Sequence, residues 1–135
     1  MNAHEKHSIK QYLRAADYLT VGQIFLAENH LLKKELTFND IKSRILGHWG
    51  SGPGINFAYA HLSYSAKKHD KDMMFVLGPG HGFPALQANL FLEGTLANFD
   101  PSMETNLDGI RKLCREFSWP YGFPSHSNPE TPGVI

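Results

Sequence analysis

Apolar residues return every three or four positions between Ser8 and about Asn29, at Ile9, Tyr12, Leu13, Ala16, Leu19, Val21, Ile24, Phe25 and Leu26. That period predicts an amphipathic helix, with a break near Thr20-Val21-Gly22. The first seven residues are polar and read as a tail, leaving residues 8–135 as the folded part. Thr37 is placed to cap a short helix through Ile45, with Asp40 in its first turn. Gly47 to Gly54 packs four glycines and a proline into eight residues and reads as a loop. A further helix is expected from Pro53 or Gly54 to Lys68, with Ile55, Phe57, Ala58, Ala60, His61 and Leu62 supplying its apolar area.

The run Met73–Leu77 has no polar interruption, as a strand covered on both faces would have. It leads into Gly78-Pro79-Gly80-His81-Gly82, and Pro84 to Leu92 then reads as helix. Strand, glycine-rich turn and helix make an α/β unit. The expected fold is therefore α/β, a parallel sheet flanked by helices, with Met73–Leu77 as an interior strand and ligands gathered at its carboxyl end. A last helix is expected from Thr105 or Asn106 to Glu116, followed by a proline-rich ordered loop.

With 135 residues, 41% of them hydrophobic, the chain can bury one core. Thirteen basic and thirteen acidic residues cancel, and the pI is about 7.1. There is no basic stripe for nucleic acid and no polybasic membrane patch, and no apolar run approaches the ~20 residues of a membrane span. Cys114 is the single cysteine, so no disulfide closes within the chain, which fits a reducing, cytoplasmic setting. Its helical spacing with Leu113 and Phe117 reads as a packed thiol rather than a nucleophile.

Three of the eight histidines lie in short segments punctuated by glycine or proline: Gly47-His48-Trp49-Gly50, Gly78-Pro-Gly-His81-Gly82 and Ser125-His126-Ser-Asn-Pro-Glu-Thr-Pro-Gly133. Imidazole exchanges protons near neutrality, and glycine lets backbone approach a ligand closely. Gly78–Gly82 could hold phosphate at a helix start, although it is neither G-x-G-x-x-G nor a Gly-Lys-Ser/Thr loop. Its plain reading is a tight turn with an incidental histidine, and that of Trp49 is a buried loop anchor. A rigid polar loop such as 125–133 favours function. His4, His7 and His69 read as solvated, His61 as a helix-face residue, and His30 as a cationic ring past a helix end. No H-x-x-x-H or C-x-x-C spacing occurs, and no metal ligand is assigned.

Arg14-Ala-Ala-Asp-Tyr-Leu-Thr-Val-Gly-Gln-Ile-Phe-Leu26, Leu46-Gly-His-Trp-Gly50, Phe75-Val-Leu-Gly-Pro-Gly-His-Gly82 and Pro124-Ser-His126 with Pro129-Glu-Thr-Pro-Gly133 together resemble the N-terminal region of phosphoketolases. The motifs match in order and spacing from about Tyr12 to Ile135. Phe83 and Ser51-Gly52 depart from the usual family pattern. The resemblance implies a thiamine-diphosphate-dependent aldehyde-lyase of carbohydrate metabolism. Such enzymes cleave xylulose 5-phosphate, and often fructose 6-phosphate, with inorganic phosphate, to acetyl phosphate and an aldose phosphate. It implies catalytic roles for His48, His81 and His126, which would hydrogen-bond substrate hydroxyls and assist proton transfers and dehydration. Cofactor contacts would fall to Ser51, Gly80 and His81, and substrate contacts to His48, Trp49, Gly82 and Ser125.

Family members are homodimers that bind thiamine diphosphate and Mg2+, and they are several times longer than this chain. The expectation is thus a truncated part of the diphosphate-binding domain that by itself binds no cofactor and is inactive. The alternative is a non-catalytic remnant or a sugar-phosphate-binding module without lyase activity.

Overall fold

Asn2 opens the first helix before the apolar period begins. In the computed structural model, which describes residues 1–134, Asn2 Oδ1 accepts the Glu5 N–H at 2.8 Å and Glu5 Oε2 accepts the Asn2 N–H at 2.5 Å. This reciprocal capping box makes residues 3–7 the exposed first turns of α1, Ala3–Phe25, rather than a tail. No break occurs at Gly22, which is buried near Cys114 Sγ. The helix expected over 37–45 shrinks to one 3-10 turn, Phe38–Asp40, in which Asp40 Oδ2 accepts from both the N–H and the hydroxyl of Thr37 at 2.9 Å.

Three more helices follow: α2, Gly52–His69; α3, Phe83–Leu92; and α4, Leu107–Glu116. Proline sits in the first turn of α2 and α3, where its missing N–H costs nothing. Asn106 Oδ1 caps α4 by accepting the Gly109 N–H at 2.9 Å. The α3 helix is apolar nearly all round and accordingly lies at the centre, packed on α1 and α2. Its Ala88 and Phe91 join Leu19, Leu96, Met103 and Leu113 in the main core. A second cluster, Ile24, Phe83 and Phe117, lies where α1, α3 and α4 meet.

A buried polar ladder fixes the register of the first three helices. Tyr12 donates to Asn89 Oδ1 at 2.8 Å, and Asn89 Nδ2 donates to Asn56 Oδ1 at 2.8 Å. Asn56 Nδ2 in turn donates to Asp17 Oδ1 and Thr20 Oγ1, at 2.9 and 3.1 Å. Such a network is worth keeping only when its members are satisfied together.

The expected α/β fold with a parallel sheet is not what forms: the chain is helical. Among the described residues there is no strand, only isolated bridges at Leu26–Ile41 and Phe117–Phe123. Met73–Leu77 takes no regular structure and pairs with no strand among the described residues. Phe75 rests edge-on against Tyr59, with ring centroids 5.4 Å apart, while Met73, Met74 and Val76 are 52%, 80% and 69% exposed. A continuous apolar run becomes an interior strand only where neighbours satisfy its backbone groups, and none is present here.

An unpaired, exposed apolar segment is an aggregation hazard. The chain is expected to bind a hydrophobic dye strongly and to self-associate, and Met74→Lys with Val76→Lys should suppress both. Weak dye binding and a monomeric, concentration-independent elution from size exclusion would contradict this.

Candidate active site

The loop before α2 carries His48, and the 3-10 turn Gly80–Gly82 before α3 carries His81. The polar ladder sets α2 beside α3, so the starts of these two helices come together. The His48 and His81 rings are in contact, with centroids 4.6 Å apart and planes inclined at 50°. Gly47 makes this approach possible. Its φ is +118°, and a side chain there would meet Ile24 Cγ1 at 2.9 Å and the Phe117 ring at 3.2 Å. The His48 loop is therefore seated directly on the second core cluster.

His48 is oriented from its own loop. Its Nδ1 accepts the Ser51 N–H at 3.1 Å and lies 3.2 Å from Ser51 Oγ. An acceptor Nδ1 places the hydrogen of the neutral ring on Nε2. Ser51 makes no side-chain cap to α2, and its hydroxyl lies on the histidine side of the loop.

The third motif arrives from the far end of the chain. A side chain at Gly80 would lie 3.5 Å from His126 Cδ2 and 3.7 Å from Ser127 Oγ, so His126 stands over the backbone of the His81 turn. The Ser127 N–H donates to Gly80 O at 3.3 Å, and Ser125 Oγ lies 3.1 Å from His126 Nδ1. The loop is stiffened by a turn in which Asn128 O accepts from the Thr131 hydroxyl at 2.7 Å and Asn128 Oδ1 accepts the Glu130 N–H at 3.0 Å.

Motifs separated by 33 and 45 residues thus meet at one surface. His48 and His126 are exposed, His81 is half-buried, and Trp49 is 37% exposed rather than a buried anchor. Gly82 is buried beneath the turn, where a side chain would strike Ile55 and Leu77, so it supports the turn from within. Imidazoles, serine hydroxyls and the positive ends of two helices suit an anionic, hydroxylated ligand. Among the described residues no group of His, Cys, Asp and Glu could hold a metal ion.

Of the remaining titratable residues, Cys114 is packed as expected, whereas His30 and Lys42 are unexpectedly buried. His30 is 4% exposed, and burial holds its pKa below the ordinary histidine value, which disfavours the cationic ring expected past the helix end. Burial pushes the Cys114 thiol up to about 12, as suits a packed, unreactive side chain. Lys42, which no sequence signal singled out, is 7% exposed, and burial lowers its pKa to about 8. A concavity of about 960 Å³ opens at the other end of α2 between Tyr12, Tyr64, Asp70 and Glu93 and includes none of the three motif histidines. No helix is long and apolar enough to cross a membrane among the described residues.

Residues 1–135 match the family described as XFP N-terminal domain. The chain is 52% identical over 124 residues to a probable phosphoketolase of Rhodopseudomonas palustris (strain HaA2), covering 92% of this chain and 16% of that protein. It is 50% identical over 131 residues to probable phosphoketolase 2 of Nostoc sp. (strain PCC 7120), covering 97% and 16%. Over 135 residues it is 51% identical to a probable phosphoketolase of Nitrosospira multiformis, covering 100% and 17%. It therefore spans about one-sixth of the length of these relatives. On these matches, the chain belongs to the XFP N-terminal domain family.

Proposed function

We propose that this chain supplies the substrate-facing wall of a phosphoketolase, an aldehyde-lyase of carbohydrate metabolism. The reaction is cleavage of xylulose 5-phosphate, and of fructose 6-phosphate where accepted, with phosphate to give acetyl phosphate and an aldose phosphate. The observation that carries this reading is the convergence of His48, His81 and His126 at the starts of α2 and α3. The relatives named phosphoketolase add support.

Each residue has a role that its position suits. The Nε2–H of His48 donates to a substrate hydroxyl, with Trp49 as a flat wall beside it. Ser125 hydrogen-bonds the sugar phosphate, and Gly82 keeps the His81 turn close to it. His81 and His126 move protons between substrate oxygens as the ketose is cleaved and water leaves.

The diphosphate of thiamine diphosphate fits the donor set, since it is an oxygen-rich anion and the donors gathered here are hydroxyl, imidazole and first-turn N–H groups. Ser51, Gly80 and His81 would hold the cofactor, and when bound the cofactor supplies the electron sink for carbon–carbon cleavage. Mg2+ would be held with the diphosphate by residues beyond this chain. The same reading makes the enzyme a cytoplasmic homodimer.

The test is a graft in which residues 1–135 replace the matching segment of the Rhodopseudomonas palustris protein. Incubated with xylulose 5-phosphate, phosphate, thiamine diphosphate and Mg2+, the graft is expected to form acetyl phosphate, trapped as its hydroxamate. The 135-residue chain alone is expected to form none and to give no calorimetric signal with the cofactor. A folded, dimeric graft that makes no acetyl phosphate, beside an active unaltered relative, would refute the proposal.

A further inference from the structure

We propose that Lys42 is a positioning residue for the histidine site, its buried side chain clamping the ends of α1 and α4 from which the His48 and His126 loops depart. The role rests on the histidine site described above and adds the element that holds it. Lys42 Nζ donates to Gln23 O and to Phe117 O, each at 2.8 Å, and lies 5.5 Å over the Phe117 ring.

Both carbonyls belong to helix ends. Gln23 lies in the last turn of α1, and its expected helical donor, the Ala27 N–H, bonds Asp40 O instead at 2.8 Å. Phe117 is the residue that terminates α4. Carbonyls at helix ends lack partners within the helix and carry the negative pole of the dipole, so one cation can satisfy both.

The clamp sits where two loops leave. Lys42 is also tied by its own N–H to Phe25 O at 2.9 Å, and six residues later the chain reaches His48. Gly47 of that loop packs on Ile24, which follows one clamped carbonyl, and on the ring of Phe117, which bears the other. On the other side, the Phe123 N–H donates to Glu116 O at 2.7 Å and Phe123 bridges Phe117, three residues before His126. Among the described residues, no other side chain hydrogen-bonds both Gln23 and Phe117 across this seam. Without Lys42 the two loops would be free to shift relative to each other, even with the main core intact.

A residue needed only for stability would act through the whole fold, so the readout must be local. In the Met74→Lys, Val76→Lys chain, NMR should show cross-relaxation between the His48 and His81 rings, and between Gly80 and the His126 ring. Lys42→Met should abolish or greatly weaken both signals. Lys42→Gln retains a polar group too short to span both carbonyls, and it should do the same while keeping the helical circular-dichroism spectrum.

Leu113→Ala, which empties part of the main core but removes neither Lys42 hydrogen bond, should lower the melting temperature yet leave both signals in place. A folded Lys42→Gln chain with both signals at full strength overturns the proposal. So does equal loss in Leu113→Ala, because loosening would then follow stability and not the clamp. If the Met74→Lys, Val76→Lys chain with Lys42 intact lacks both signals, the histidine site fails, and the role of Lys42 falls with it.

Discussion

Phe117→Ala is expected to lower the free energy of unfolding by about 3–5 kcal/mol, the usual cost of emptying a fully buried aromatic position. Phe117 is 0% exposed and joins Ile24 and Phe83 in the second core cluster. Its ring lies 6.3 Å from that of Phe83, carries Lys42 above it, and receives the backbone of Gly47. Removing it takes the support from beneath the His48 loop as well as from the core. In urea, the midpoint should fall with the slope unchanged. A loss below about 1 kcal/mol would be that of a surface position and would contradict this placement.

Gly109→Ala should be comparably damaging, for a different reason. A methyl group there would lie 1.9 Å from Glu104 O and 3.0 Å from the Phe91 ring. Glu104 O is held by the Asn106 N–H at 2.7 Å, and Asn106 caps α4 through the Gly109 N–H itself. The clash can be relieved only by moving the helix start off the core. Overpacking usually costs about 1–3 kcal/mol, and loss of the cap adds roughly 1 kcal/mol.

Gly54→Ala is the internal control. Nothing lies within 4 Å of a side chain at that position, and its backbone is helical. Replacing that glycine should stabilise the chain by about 0.4–1 kcal/mol. If thermal melts show equal effects for the two alanines, the crowding around Gly109 is not real.

These contrasts bear on what the sequence could reveal. Pro53, Pro84 and Asn106 mark helix starts through local chemistry, and α2, α3 and α4 begin within two residues of where those signals put them. Met73–Leu77 misleads because an apolar run reports a preference for burial, whereas a strand needs partners, which only the tertiary structure could supply or withhold. The start of α1 was missed because a capping box works without apolar residues, and composition made that segment look like a tail.

The three histidines were legible through their glycine and proline punctuation. What the sequence lacked was distance: nothing local says that residue 48 touches residue 81. Lys42 was hidden altogether. It follows Ile41 like any surface lysine, and its burial is decided by two carbonyls located 19 and 75 positions away.

The central claim is that His48, His81 and His126 act as one site, and single and double alanine variants of the grafted enzyme test it most directly. The measurement is kcat/KM for acetyl phosphate formation. Each single variant should lose about 10²–10⁴-fold, the range for a positioned proton-transfer group. Melting temperatures should stay near that of the graft, because these side chains lie at the surface of the fold. His48→Ala with His81→Ala should lose much less than the product of the two single losses, since rings in contact do not act independently. Near-full activity in any single variant, or strictly multiplicative losses in the double, would contradict a shared site.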